Sequence, residues 1–211
     1  MAQKGLKRGI FITFEGAEGS GKSTQIKLLE DYLKNKGLRV LVLHEPGSTK
    51  FSEDLRDILL DKRNGFLSEK TELLLYLAAR AQLVKEKIIP ALKEKKIVLC
   101  DRFQDSTLVY QGYGLGLDRK VIELLGGFVS AGAMPDLTFL LDISAEEGLR
   151  RAGGASDRIQ ERPLAYHRRV RNGYLKLAGA NPKRIKLIRP KDIQKTQEEI
   201  RNIFERFNRV I

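Results

Sequence analysis

The sequence predicts an α/β fold in which helices flank a parallel β-sheet. Apolar stretches of strand-like composition alternate with segments of helical periodicity along the 211 residues, and this alternation is typical of a doubly wound parallel sheet. A glycine-rich pattern, G-x-x-x-x-G-K-[ST], joins the first strand to the first helix. The length and the lack of an internal repeat indicate one domain over residues 1–211.

Five apolar runs are predicted as the strands of this sheet. They lie at residues 10–14, 39–45, 97–101, 137–142 and 185–189. The second run is almost entirely apolar, which predicts a strand buried on both faces.

Helical periodicity occurs between these runs. It predicts helices at residues 22–36, 52–60, 69–95, 118–130, 145–151, 163–177 and 194–207. Ser52, Ser68 and Ser144 are the predicted N-caps of the second, third and fifth helices, since a serine side chain accepts a hydrogen bond from the first helical turn. Pro90 marks a possible break in the long third helix.

The glycine-rich pattern predicts the nucleotide site. Its glycines let successive backbone N–H groups point at phosphate oxygens, Lys22 adds a positive charge for the β- and γ-phosphates, and the Ser23 hydroxyl can bind Mg²⁺. The alternative is a glycine-rich turn that binds nothing. The predicted ATP-binding residues are Gly16, Ala17, Glu18, Gly19, Ser20, Gly21, Lys22, Ser23 and Thr24.

Composition narrows the functional class. No apolar run is long enough to span a bilayer, the N-terminus lacks the apolar core of a signal peptide, and the single Cys100 excludes an internal disulfide. We therefore expect a cytoplasmic protein with no membrane partner. The formal charge of +12 indicates either polyanionic partners or a well-solvated surface with cations at helix ends. We expect no nucleic-acid partner.

A second site opposite the phosphate loop would make the chain a kinase of a small molecule. Switch GTPases are excluded, because the sequence lacks both the D-x-x-G motif and the N/T-K-x-D guanine motif. Asp101 ends a predicted central strand beside the phosphate loop, where open α/β sheets bind ligands. Asp101 can order Mg²⁺ and Arg102 can bind a phosphate with two parallel hydrogen bonds. The alternative is an Asp-Arg pair that only joins loops.

Four motifs in order resemble those of the bacterial thymidylate kinases, and the resemblance extends from residue 10 to about residue 207. The motifs are Gly16–Thr24; Glu45-Pro46-Gly47; Asp101-Arg102-Phe103 with Ser106-Thr107 and Tyr110-Gln111-Gly112; and Asp157-Arg158-Ile159. Tyr76 and Arg80, four residues apart on one helix face, match two further family positions. The family usually has phenylalanine at position 76, and this chain departs from the family again at His44, Ser48 and Gln160.

This resemblance implies a three-layer P-loop kinase fold with a five-stranded parallel sheet and a short mobile lid at about residues 150–160. It implies ATP-dependent phosphorylation of dTMP to dTDP with Mg²⁺ held by Ser23 and Asp101. Tyr76 would stack on the thymine, Arg80 would bond a base carbonyl, and Tyr110 would pack on the sugar. The implied dTMP-binding residues are Glu18, Pro46, Arg56, Tyr76, Arg80, Arg102, Ser106, Thr107, Tyr110 and Gln111.

Phosphoryl transfer also needs positive charge over the γ-phosphate. Lys22 and Arg102 are two sources, and the phosphate loop has no arginine between its glycines. By resemblance the lid supplies the rest, and we expect Arg151 and Arg158 to be the catalytic lid residues, with hinge freedom at Gly153-Gly154. The alternative, that such arginines only solvate a helix end, is strongest for Arg150.

The uncharged segment 73–79 of the long helix predicts a homodimer, because a segment that is apolar all round needs cover on every side. Two other functions stay open. One is a P-loop kinase of another nucleoside monophosphate, against which the Tyr76/Arg80 and Tyr110-Gln111 features argue. The other is a basic nucleic-acid-binding ATPase, for which hydrolysis should respond to DNA and binding should fall steeply with salt.

Overall fold

The computed structural model describes residues 6–153 and 157–208. Its centre is a five-stranded parallel sheet in the order β2-β3-β1-β4-β5. The strands are β1 (Ile10–Glu15), β2 (Val40–His44), β3 (Ile97–Asp101), β4 (Leu137–Leu141) and β5 (Ile185–Ile188). The predicted α/β class and parallel sheet are confirmed.

The helices follow the predicted alternation. They are α1 (Lys22–Asn35), α2 (Lys50–Leu60), α3 (Glu69–Leu83), α4 (Ile89–Lys93), α5 (Gln104–Thr107), α6 (Arg119–Ser130), α7 (Ala145–Ala152), α8 (Leu164–Ala180) and α9 (Ile193–Asn208). A 3₁₀ turn covers Lys62–Asn64, and π-helical turns cover Val84–Ile88 and Leu108–Gly114.

Helices cover both faces of the sheet, which gives three layers. On one face, Ile10, Ile12 and Phe14 of β1 pack against α1 and α9. On the other face, Phe11 packs with Cys100 and with the apolar side of the α3–α4 segment. Alternate residues of one buried strand therefore serve two cores, as expected for a parallel sheet covered on both sides.

The prediction that the second strand is buried on both faces is wrong. β2 lies at the edge of the sheet beside β3, and Val42 is 38% exposed. Composition alone does not separate an edge strand from a central one. The order in which strands pair decides that position.

Two helix details also differ from the sequence-based prediction. Thr49, and not Ser52, caps α2: its side chain accepts a hydrogen bond from the Ser52 N–H, and the Ser52 hydroxyl donates to the Ala79 carbonyl at 2.9 Å. The long helix does not break at Pro90, because a π turn leads into α4 and Pro90 falls in its first turn, where proline is tolerated. Ser68 caps α3 as predicted.

The apolar segment 73–79 is mostly covered within the subunit. Leu73 and Leu77 pack with Ile122 of α6, and Ala79 is fully buried. Leu74, in contrast, is 58% exposed. The inner sides of this segment are therefore covered within the subunit, and its outer face remains open. No helix within residues 6–153 and 157–208 is long and apolar enough to cross a membrane.

Candidate active site

Two adjoining depressions lie at the carboxyl ends of β1, β2 and β3. The larger is a cleft of about 720 Å³ along the phosphate loop and the start of α1. The smaller is a pocket of about 150 Å³ between α2, α3 and the segment after β3. Four side chains line both, so the depressions share a wall; these are Glu18, Glu45, Arg56 and Arg102.

The ten residues expected to bind dTMP all line the smaller pocket. Their elements are far apart in the chain and meet only because parallel strands end at one edge of the sheet. Of the predicted ATP-binding residues, Glu18 to Thr24 line the larger cleft. The structure thus brings the two predicted sets together side by side, which is the arrangement that transfer of a group between two ligands requires.

The phosphate loop packs directly against α7. A Cβ atom at Gly19, whose φ is +64°, would lie 2.5 Å from the Gly148 carbonyl oxygen and 2.9 Å from the Arg151 Cβ. A side chain at position 19 would force these elements apart. The glycine therefore allows the close approach that sets the backbone of Arg151 beside the phosphate loop.

Lys22 lies buried beneath this loop. Its ammonium donates to the Ala17 carbonyl at 3.0 Å and to the Gly16 carbonyl at 3.3 Å. Burial lowers the pKa of Lys22 and the Arg102 charge lowers it further, whereas Asp101 and Glu18 oppose this shift. The sequence thus places a cation at the floor of the cleft, where phosphate oxygens can replace the carbonyl partners.

Ser23 and Asp101 face each other across the cleft. The Ser23 hydroxyl donates to Asp101 Oδ2 at 3.3 Å. Asp101 Oδ1 is buried and makes no hydrogen bond with the described residues. A buried carboxylate oxygen without a partner beside a hydroxyl fits a divalent cation with oxygen ligands. No group of three or more His, Cys, Asp or Glu side chains that could hold a metal ion occurs within the described part of the chain.

Arg102 lies in the wall between the two depressions. It has a positive φ of 71°, and its N–H groups donate to the Gly16 carbonyl at 3.0 Å and to Glu18 Oε1 at 2.6 Å. The guanidinium also stacks over the Tyr110 ring at 5.0 Å. The hydrogen bonds of Arg102 with the described residues come from Nη1 and Nη2 and none from Nε, so the Nε–H remains able to bind an anion.

Arg80 is fully buried and binds Glu45. Three N···O contacts of 2.9, 3.0 and 2.6 Å join the two side chains. Arg80 also donates to the Thr107 hydroxyl at 2.7 Å and to Gln104. Burial raises the pKa of the Glu45 carboxyl, and the Arg80 charge partly offsets that rise. Arg80 and Thr107, both expected to bind dTMP, are therefore parts of one hydrogen-bonded unit.

Glu72 joins a wall residue of the smaller pocket to two arginines that follow residues 154–156. Its buried carboxylate accepts hydrogen bonds from Gln111 at 2.9 Å and from Arg162 at 2.6 Å, and it lies 2.7 Å from Arg158. The Tyr76 ring also lines this pocket, and burial raises the pKa of its hydroxyl above the usual range.

The two expected lid arginines occupy different positions. Arg151 is half-exposed on α7 and pairs with Glu147 at 2.5 Å. Arg158 is buried: its Nε donates to the Leu59 carbonyl at 2.9 Å, and its charge is opposed by Glu72. This conformation favours a structural role for Arg158. Residues 154–156, which include part of the expected hinge and lid, lie outside the described residues.

Sequence reasoning missed several buried residues that support the site. Glu45 belongs to the Glu45-Pro46-Gly47 motif after the second strand, and Glu15 ends β1, before the phosphate loop. A carboxylate at the end of a strand is the sequence feature that could have indicated both residues. Glu72 and Tyr174 gave no signal, because each resembles an ordinary helix residue. His44, which has no predicted catalytic role, contacts Glu53 at 2.9 Å.

Comparisons with known proteins agree with this geometry. The family profile described as Thymidylate kinase matches residues 14–200. A thymidylate kinase of Thermoanaerobacter sp. (strain X514) is 46% identical over 202 residues, which cover 95% of this chain and 99% of that protein. One from Geobacter sulfurreducens is 50% identical over 188 residues, covering 85% and 88%. The crystal structure of the Ehrlichia chaffeensis thymidylate kinase has a TM-score of 0.78 and 35% identity, covering 93% of this chain and 98% of that one. The chain therefore belongs to the thymidylate kinase family.

Proposed function

We propose that this chain phosphorylates dTMP to dTDP with ATP as donor, with the ATP phosphates over Gly16–Thr24 and dTMP in the smaller pocket. The reaction is that of its family. The observation that supports this arrangement is the shared wall: the ten side chains expected to bind dTMP line one pocket, and Arg102 borders both that pocket and the phosphate-loop cleft.

The reaction requires aligned substrates and positive charge near the transferred phosphoryl group rather than a general base. The phosphate of dTMP is already an anionic nucleophile, so catalysis consists of alignment and neutralisation of charge on the transferred group. Lys22 supplies charge from the loop side and Arg102 from the acceptor side. Arg56, whose Nη1 donates to the Pro46 carbonyl at 2.9 Å, is held at the pocket wall and adds a third cation near the acceptor phosphate.

Tyr76, Arg80, Thr107 and Gln111 would recognise the base. Arg80 and Thr107 are fixed to each other, and Gln111 is fixed by Glu72. A pocket whose polar groups are held in place rejects bases that leave those groups unpaired. Tyr110 and Glu18 lie 3.4 Å apart at Tyr110 Oη and Glu18 Oε1, and they would enclose the sugar.

Ser23 and Asp101 would hold Mg²⁺, with the unpartnered Asp101 Oδ1 as the supporting feature. When bound, the cation neutralises charge on the donor phosphates. Chelation with EDTA should abolish turnover, and Asp101→Asn should raise the Mg²⁺ concentration needed for half-maximal rate. If Asp101→Asn needed the same Mg²⁺ concentration for half-maximal rate, Asp101 would not be a ligand of the cation.

Arg151 and Arg158 are proposed as the lid arginines that act on the transferred phosphoryl group. The close approach of the phosphate loop to the Arg151 Cβ supports Arg151. A similar role for Arg158 would require it to leave its buried pair with Glu72.

A homodimer is proposed through the outer faces of α3 and α6. Leu74 is 58% exposed, Leu124 74% and Phe128 80%, on two helices whose inner faces pack together. Exposed apolar residues on paired helices are typical of an interface between subunits. A cytoplasmic location is also proposed, because the single Cys100 is buried and free, as suits a reducing compartment.

A coupled assay across the nucleoside monophosphates tests the function. We expect dTMP to be the preferred acceptor, and Lys22→Ala to lower turnover by ~10²-fold or more, because one charge aimed at a developing anion is lost. Lys34→Ala is the matched control, since Lys34 lies on the same helix and pairs with Glu30 on the surface. Preference for another monophosphate, or ATP hydrolysis that needs DNA, would overturn the proposal.

A further inference from the structure

The carboxylate of Glu15 lies behind Arg102 and outside both depressions. Glu15 ends β1 and is 1% exposed. One oxygen, Oε1, accepts the backbone N–H of Phe103 at 2.8 Å. The other, Oε2, accepts from the Ser106 hydroxyl at 2.6 Å and from the Tyr174 hydroxyl at 2.8 Å. Both oxygens therefore accept hydrogen bonds, which come from the start of α5 and from α8.

The same two hydroxyls contact Arg102. Arg102 Nη1 lies 3.3 Å from Ser106 Oγ and 3.2 Å from Tyr174 Oη, and the two hydroxyl oxygens are 2.7 Å apart. A hydroxyl carries one hydrogen. When each hydrogen is directed either to Glu15 Oε2 or to the neighbouring hydroxyl oxygen, both oxygens keep a lone pair that can accept the Arg102 N–H.

We propose that Glu15 is a positioning residue for Arg102: it orients the Ser106 and Tyr174 hydroxyls so that they accept from Nη1 and hold the free Nε edge toward the acceptor phosphate. The inference rests on the proposed function, in which Arg102 binds the phosphate of dTMP. Glu15 does not itself contact the substrate pocket.

An amide cannot replace this carboxylate. If the oxygen of a glutamine accepted the Phe103 N–H, the glutamine nitrogen would face the two hydroxyls and donate to them. The hydroxyl hydrogens would then turn away from position 15 and toward Arg102, where they would oppose the Arg102 N–H. In the opposite orientation, two N–H donors would face each other at Phe103. Only a side chain that accepts on both oxygens satisfies every partner.

The charges around Glu15 bear on its ionisation. Burial and the Asp105 carboxylate raise the pKa of Glu15, whereas Arg102 and the two hydroxyls lower it, and the net result is a pKa of about 7. At about pH 8 the carboxylate form therefore predominates, and the test belongs there. The titratable and charged groups that face Glu15 are Lys22, Cys100, Arg102, Asp105, Tyr174 and Arg184.

The test compares dTMP with thymidine, which has the same base and sugar but no phosphate. In calorimetric measurements, Glu15→Gln should bind dTMP ~10-fold or more weakly than the unaltered protein, because hydrogen bonding to the charged Arg102 is affected. The affinity for thymidine should stay within about twofold of that of the unaltered protein, because the residues around the base are not affected. Tyr174→Phe, which keeps the ring and removes one hydroxyl, should weaken dTMP about threefold or more and spare thymidine.

Asp136→Asn is the matched control. Asp136 also accepts a backbone N–H, that of Phe11 at 2.8 Å, but it precedes β4 at the opposite end of the sheet, so neither affinity should change. Unchanged dTMP binding in Glu15→Gln, or equal losses for dTMP and thymidine, would overturn the inference. If Glu15→Gln does not fold, Tyr174→Phe decides by the same criterion. Equal affinity of the unaltered protein for dTMP and thymidine would instead refute the Arg102–phosphate contact of the proposed function.

Discussion

Replacing Arg80 with methionine should lower the free energy of unfolding by about 3–5 kcal/mol at about pH 8.5, because the Glu45 carboxylate is left buried without its cation. Arg80 is 1% exposed and Glu45 4%, and three N···O contacts of 2.6 to 3.0 Å join them. Methionine has a similar length and no charge, so the substitution removes the pair while leaving little empty space. A loss of this size is a large part of the ~5–15 kcal/mol that holds an ordinary domain folded.

The loss should depend on pH in a definite direction. Burial already raises the pKa of Glu45, against the Arg80 charge. Without Arg80 this pKa rises further above its unfolded value, so folded Glu45 retains a proton that unfolded Glu45 has released. The variant therefore loses stability as the pH rises through that raised pKa. Its deficit should be smaller at about pH 5.5 than at about pH 8.5.

Urea unfolding followed by circular dichroism measures both values. Arg63→Met is the matched control: Arg63 pairs with Asp61 at 2.5 Å but its side chain is 90% exposed, and an exposed pair of this kind contributes little. Adding Glu45→Met to Arg80→Met should recover most of the stability, because no buried charge remains. A deficit below about 1 kcal/mol at about pH 8.5, or one that is equal at both pH values, would refute this reasoning.

Three further predictions concern the lid and the outer surface. Arg151→Ala should lower kcat by ~10²-fold with little change in the KM for dTMP, because the contact forms mainly in the transition state. Arg150→Ala is the control in the same steady-state kinetics, and an equal loss of kcat in both variants would show that the effect is not specific to position 151. Arg158→Ala should lower the free energy of unfolding as well as kcat, because the buried Glu72 loses one of the two arginines that pair with it. An unchanged unfolding curve would show that Arg158 has no structural role. Phe128→Asp should give monomers by sedimentation at micromolar concentration, whereas an unaltered protein that already sediments as a monomer would refute the dimer.

Local sequence determined the parts of this protein that depend on residues close together in the chain. The phosphate loop is one such part, because the strand, glycines, lysine and helix start that make it lie within residues 10–36. The Ser68 cap and the alternation of strands with helices are others. The residues expected to bind dTMP came from motifs whose spacing matches a known family, and their roles there stay predictions.

Tertiary structure decided what depends on packing between distant segments. β2 has the composition of a central strand but lies at the sheet edge, because strand order follows from how the crossovers pack. Tyr174 reaches Glu15 across 159 positions of the chain, and Glu72 meets Arg162 across 90. A side chain buried in such a contact has no local pattern that distinguishes it from any other helix residue. The buried network that holds Arg102 in place is therefore visible only once the chain is folded.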